Sequence, residues 1–313
     1  MIRQVLRLAA LSGTLMAVLG PAPALAYNVF SLDASHALKW GDNTVGTSGG
    51  VVTWSLMPDG TGLDASAPAG IHGTSSLGSL VSLIDNAYGA GTAHTLMTQA
   101  FGYWSSVADI SFVEVTETGA VPFSAPYAAV GANVIGDIRI GAYDIEGFSG
   151  AVGYAAPPNG GTTLEGDILF NLNVAYQVVN GPEGSSYGLY PFPSPTNSPA
   201  QDGWYHNDFL GLFVHELGHA LGLAHTDVAS AVMCGYVDAN FDGSACAYLD
   251  QAPFDGLVPI NQIPDADDIA GIQYLYGAAP VPEPDTYLMF AAGLALFAFR
   301  QTRKRGRVGY ARA

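Results

Sequence analysis

Apolar and polar positions change period several times along the 313-residue chain. VVTWSLMPDG (51–60) reads as an apolar, β-rich strand ending in a turn. From about Leu80 to Val107 the apolar residues fall at helical spacing, most clearly at Leu96, Ala100, Tyr103, Trp104 and Val107. ISFVEV (110–115) alternates like a strand, and VIGDIRIGAY (134–143), AVGYAAPP (151–158) and EGDILFNLNVAY (165–176) are further strand candidates. NDFLGLFVHELGHALGLA (207–224) is apolar at helical intervals, with Asn207 or Asp208 able to cap its start. DADDIAGIQYLYG (265–277) predicts a last helix, capped by Asp265 and ended by Gly277. The order is strand, helix, several strands, helix, loop and final helix.

The two ends of the chain depart from this pattern. At the start, Arg3 and Arg7 precede an apolar run and Ala24-Leu25-Ala26, which reads as a signal peptide over 1–26, cleaved by signal peptidase after Ala26. At the other end, VPEPDTYLMFAAGLALFAFRQTRKRGRV (281–308) sets Pro282-Glu283-Pro284 before an apolar run from Tyr287 to Phe299 and a basic cluster. The run is 13 residues long, short against the roughly 20 that span a bilayer. The cluster would hold that end on the cytoplasmic side, giving transient membrane anchoring.

Removing both ends changes the charge picture. The chain has 10 Lys and Arg against 27 Asp and Glu, a formal net charge of −17. Only Lys39 and Arg139 remain as cations in residues 27–280, against 25 acids, so the body carries −23. Such a surface repels nucleic acid and anionic membranes and attracts calcium or basic substrates. The body has the length of one domain with some long loops, among them the Pro-, Gly- and Ser-rich stretch 180–208 that leads into the histidine-bearing helix. Cys234 and Cys246 are the only cysteines; in an exported chain their spacing suggests one disulfide closing the loop between them. DANFDGS (238–244) inside that loop begins like an EF-hand, but Leu249 stands where the last ligand should be. A calcium loop of another geometry and a plain Asp/Gly turn both stay open.

The sharpest chemical signal is FVHELGHALGLAH (213–225), which holds three of the chain's seven histidines. His215 and His219, four apart, project from one helix face. Glu216 lies beside that face. Gly222 permits a turn that would bring His225 back toward the other two. Three neutral imidazoles converging with a fourth position open is the ligand arrangement of a catalytic zinc site rather than a closed structural one. The metal would polarise a carbonyl and acidify a water, whose proton Glu216 would take and later pass to the leaving amine. The bland alternative is an ordinary helix with buried histidines. Against it, with 39 Gly and 7 His in the chain, chance placement of both Gly222 and His225 is roughly 1 in 360. Met233, eight residues after His225, would be core filler if alone; its spacing gives it weight.

HExxHxxGxxH with a downstream Met is the metzincin signature. HELGHALGLAH followed by AVM resembles the matrixin branch, the matrix-metalloproteinase-like peptidases. LKWG (38–41) resembles the opening of bacterial matrixin-like domains, DIRIGAY a strand of the family's sheet, and DDIAGIQYLYG its C-terminal helix, so the resemblance runs over about 37–277. It implies an α+β, metzincin/matrixin-type catalytic domain over 27–280, with a twisted, mostly parallel sheet, two long helices and a C-terminal helix. It also implies a secreted zinc endopeptidase acting on protein or peptide. His215, His219 and His225 would hold Zn²⁺, Glu216 would be the general base, and Gly222 and Met233 would be structural. Asp137 and Asp167 match family positions near structural Ca²⁺, though each also reads as a strand-end or turn aspartate. Leu169 stands where mammalian members have a histidine for a structural zinc, so no second zinc is expected. CGYVD lacks the usual Pro-x-Tyr, and Tyr236 is the candidate wall of the substrate pocket. The substrate would lie along an edge strand containing AVGYAA. The tail over 281–313 resembles the PEP-CTERM sorting signal, implying an exosortase-type enzyme and delivery to the cell surface or exopolysaccharide matrix of a Gram-negative bacterium. The alternatives are a catalytically silent matrix or adhesion protein that kept the fold, a calcium-dependent glycan-binding module, and, for the tail, a simple membrane anchor.

Overall fold

The computed structural model describes residues 27–147, 150–188, 206–235 and 257–280. Residues 1–26, Tyr236, the DANFDGS stretch, Cys246 and residues 281–313 lie outside the described residues. The chain begins with β1 (Asn28–Val29), β2 (Gly50–Leu56), β3 (Ile71–His72), α1 (Leu77–Tyr88), α2 (Thr92–Val107), β4 (Ile110–Glu114) and a single helical turn, α3 (Tyr127–Val130). It continues with β5 (Ile138–Ile145), β6 (Ala151–Gly153), β7 (Ile168–Asn171), β8 (Ala175–Gln177), β9 (Ser186–Gly188) and β10 (His206–Asp208). The last elements are α4 (Phe209–Ala220), β11 (Leu223–Ala224), β12 (Leu257–Pro259) and α5 (Ala266–Tyr276).

The main sheet runs β4-β2-β5-β7-β6, with β3 also paired to β5. β4, β2, β5 and β7 are mutually parallel, and β6 is antiparallel at the edge. A parallel sheet must be covered on both faces, and β5 is buried along its length except at Asp144. Side chains alternate between the faces. Ile168 and Phe170 of β7 join the larger core with Trp54, Phe101, Trp104, Phe209 and Phe213. Their neighbour Leu169 joins a second cluster with Met57, Phe123 and Tyr143. Stacked rings tie the layers: Trp54 on Phe101 at 4.7 Å and Phe170 on Phe209 at 4.9 Å.

The α+β architecture and mostly parallel sheet follow the sequence reading, with local differences. The helical stretch over 80–107 is two helices, because Gly89 and Gly91 take φ of 111° and 81°. The Asp85 carboxylate accepts from Gly91 N (2.7 Å) and Ala93 N (3.0 Å), fixing the start of α2. EGDILFNLNVAY is likewise two strands: Asn171 Oδ1 accepts from Asn173 N at 2.9 Å and turns the chain between β7 and β8. AVGYAAPP is a strand only over Ala151–Gly153. β1 has no counterpart in the sequence reading, since two residues carry no period. The helix ends match their caps. Asp208 accepts from Gly211 N at the start of α4, and Asp265 and Asp268 form a capping box on α5. Among the described residues, no helix is long and apolar enough to cross a membrane.

Candidate metal centre

His215 and His219 project from α4, and the chain reverses at Gly222, whose φ is +103°. Glycine is required there twice over, because a Cβ would also run into the carbonyl of Leu38. β11 then returns His225 to the other two. His225 Nε2 lies 3.2 Å from His215 Nε2 and 3.0 Å from His219 Nε2. His215 Nδ1 donates to Val232 O (2.7 Å) and His219 Nδ1 to Leu223 O (2.8 Å). A carbonyl can only accept, so each of these Nδ1 atoms carries the proton and leaves an Nε2 lone pair facing inward. Burial lowers the pKa of His215; it lowers that of His219 much further, with the two neighbouring imidazoles adding to the effect. Both rings are thereby kept neutral, as ligands must be. The nitrogen separations are close to the about 3.3 Å expected between ligands on a tetrahedral zinc, so the donor set fits that ion. Among the described residues no other group of three His, Cys, Asp or Glu side chains converges in this way.

Glu216 is buried beside the triad, and its Oε2 accepts from Gly153 N of the edge strand β6 at 2.5 Å. Burial pushes its pKa up to about 7, against the pull of the Gly153 N–H and of His225. A carboxylate in that range can both take and return a proton near neutral pH. A Cβ on Gly153 would collide with the Glu216 carbonyl, so glycine is what lets β6 close onto α4.

Met233 sits against the middle of the histidine helix. A Cβ on Gly218 would collide with its sulfur, and Trp104 closes the same space while donating from Nε1 to Val214 O at 3.1 Å. The Met turn hangs from the last helix: Val232 N (2.7 Å) and Met233 N (3.0 Å) both donate to the buried carboxylate of Asp268, which burial pushes up to about 7. Since Val232 O orients His215, α5 reaches that imidazole through the turn. Gly235 follows, and a Cβ there would stand 2.6 Å from the His225 ring. Asp268, Gly153 and Gly235 were not singled out by sequence reasoning. Asp268 was visible only as the fourth residue of DADD; the two glycines carry no local signal.

The other sequence candidates fall elsewhere. Asp137 is exposed, and its Oδ2 accepts from Thr53 N (2.8 Å) and Thr53 Oγ1 (2.7 Å). Asp167 is buried; its Oδ1 accepts from Arg139 N at 2.8 Å, and burial raises its pKa well above the carboxylate range. Neither joins a converging group of three ligands among the described residues. Cys234 is disulfide-bonded, while Cys246 and Tyr236 lie outside the described residues.

An α+β domain that aims three histidines and a buried glutamate at one point defines a metallohydrolase-type centre. The matrixin family model matches residues 81–277, and the chain belongs to that family, whose members are zinc-dependent peptidases. Residues 280–304 match the PEP-CTERM protein-sorting motif. Metalloendoproteinase 4-MMP of Arabidopsis thaliana is 28% identical over 191 residues, covering 58% of this chain and 39% of that protein. Matrix metalloproteinase-16 of Homo sapiens is 29% identical over 188 residues (60% and 24%). Macrophage metalloelastase of Oryctolagus cuniculus is 32% identical over 194 residues (60% and 30%). The match thus spans well under half the length of each of these relatives.

Proposed function

We propose that the chain is an exported zinc endopeptidase, sorted to the cell surface through its PEP-CTERM tail by an exosortase-type enzyme. The observation that carries the catalytic part is the convergence of the triad's Nε2 atoms beside a buried Glu216 tethered to an edge strand. Zn²⁺ held by His215, His219 and His225 would supply Lewis acidity toward the scissile carbonyl and a water. The chain's own residues do the rest. β6, whose outer edge pairs with no strand among the described residues, offers backbone groups to an extended peptide and lays its scissile bond across the triad. Glu216 takes the proton of the attacking water on a carboxylate oxygen and delivers it to the leaving nitrogen. The N–H of Gly153 holds that carboxylate toward the cleft between β6 and α4. An intact base beside an intact triad speaks against the catalytically silent alternative.

The test uses the full chain supplied with zinc and a diverse peptide mixture, with cleavage mapped by mass spectrometry. Glu216→Ala should retain zinc and the fold while cleavage falls by about 10²–10⁴. Equal turnover by the variant would refute the role of Glu216. A parent chain that takes up no zinc would refute the metal centre.

A further inference from the structure

The return turn that carries His225 is held almost carbonyl by carbonyl, and mostly from one distant segment. Trp40 Nε1 donates to Ala220 O (2.9 Å), and Phe30 N donates to Gly222 O (2.9 Å). Asn28 Nδ2 donates to the carbonyl of His225 itself (2.8 Å). Between them, Leu221 O accepts from Tyr276 Oη (2.8 Å), and Leu223 O accepts from His219 Nδ1 (2.8 Å). β1 pairs with β11 in the register Asn28↔Ala224 and Val29↔Leu223, and the Phe30 ring lies 5.9 Å from the His219 ring. The close approach of Leu38 to Gly222 completes the embrace. This strap, residues 28–40, lies wholly outside the segment 81–277 that matches the family.

A turn whose end must place one nitrogen about 3 Å from two others tolerates little play, and residues behind metal ligands tune affinity by their hold on them. We infer that the strap of residues 28–40 is the positioning element for the third metal ligand, and that Asn28 is the positioning residue that acts on His225 directly. The inference rests on the zinc reading above. Asn28 is exposed and makes a side-chain contact with the far side of the turn, so its effect should appear in metal affinity rather than in folding.

The experiment compares the full chain with Asn28→Leu, which removes the donor without adding charge, and with Asn28→Gln, which keeps an amide on a longer arm. Zinc dissociation constants are measured by competition with a chromophoric chelator, and melting temperatures on the metal-free proteins. Asn28→Leu should weaken zinc binding about 10- to 100-fold, while the metal-free melting temperature moves by less than about 2 °C. Asn28→Gln should recover part of the loss. With cobalt in place of zinc, the visible spectrum of the Leu variant should differ from the parent's, reporting a displaced ligand. Zinc affinity of Asn28→Leu within twofold of the parent would overturn the inference. So would a metal-free melting temperature that falls by more than about 5 °C, which would make Asn28 an ordinary fold contact. A parent chain that binds no zinc would overturn the metal centre first, and this inference with it.

Discussion

At the end of α4 three imidazoles turn their Nε2 atoms toward one another at 3.0 and 3.2 Å, and the polar neighbours of His215 and His219 hold the opposite side of each ring. At the starts of β5 and β7 most of the charged groups are answered from within the protein. Arg139 reaches Glu117 through Nε and Nη2, each at 2.8 Å, and adds Val121 O and Pro122 O. Glu165 accepts from Asn159 N, Gly161 N and Tyr127 Oη. Asp137 leans on Thr53. The first region leaves lone pairs crowded together, an arrangement that a cation relieves. The second meets most of its electrostatic needs with an arginine, hydroxyls and backbone amides; the exception is Asp167, whose buried Oδ2 has no hydrogen-bond partner and whose carboxyl burial holds toward its neutral form. Potential ligands in proximity therefore do not suffice to mark a metal site; what matters is whether protein donors already occupy their lone pairs.

The largest effect on stability should come from disturbing the second region. Arg139 and Glu117 are 0% and 1% exposed. Arg139→Met would leave the Glu117 carboxylate buried without its cation, which should destabilise the fold by about 3–5 kcal/mol. Adding Glu117→Leu should restore most of that, because an apolar pair of similar size removes the stranded charge. Urea unfolding of the parent, the single and the double variant measures both numbers. If calcium alone rescued Arg139→Met to parental stability, the region would be a latent cation site and the contrast with the histidines would weaken.

That contrast also explains how much of the molecule is legible in its sequence. The histidine site is local: five of its residues sit within eleven positions, and helix geometry turns their spacing directly into a shared face. The capping box of α5 and the cap of α4 are local too. The rest is made by distant parts of the chain. Nothing around Asn28 marks it as a partner of His225, 197 positions away. Gly153 is one glycine among 39 until β6 is laid against α4. Arg139 could be counted as one of only two cations in the body, but its pairing with Glu117 depends on where the loop after β4 passes. Asp137 and Asp167 looked alike in sequence. One is exposed and the other fully buried, a difference set by what packs around each strand start and not by the neighbouring residues in the chain.

A smaller effect should separate the support of the histidine site from the site itself. Asp268 holds the Met turn, and its pKa in the fold is raised from the usual 3.8 to about 7 by burial. The sign follows from proton counts. Between about pH 4 and pH 7 the folded form holds a proton that the unfolded form has released, so stability falls as pH rises through this window and levels off above it. Over pH 5 to 7 the contribution is about 2–3 kcal/mol. Asp268→Asn cannot ionise, so its stability curve should be flatter over that range than the parent's when metal-free proteins are unfolded in urea at each pH. Parallel curves for the two proteins would mean that Asp268 is ionised in the fold throughout, its three backbone donors outweighing its burial.

The smallest effect bears on calcium. Asp137 is exposed and already accepts twice from Thr53. Asn at this position keeps a carbonyl oxygen that can accept the same two bonds, so only the charge is lost. In calcium-free buffer the melting temperature of Asp137→Asn should stay within about 2 °C of the parent's, as for an ordinary surface substitution. Added calcium then becomes the discriminating variable. If the carboxylate serves only as a partner for Thr53, calcium should shift parent and variant equally, whatever it does elsewhere on so acidic a surface. If calcium raises the parent by several degrees more than the variant, mass action on a bound ion is the cause. Asp137 would then be a ligand as well as a hydrogen-bond acceptor, and the line drawn between the two regions would have to be redrawn at this residue.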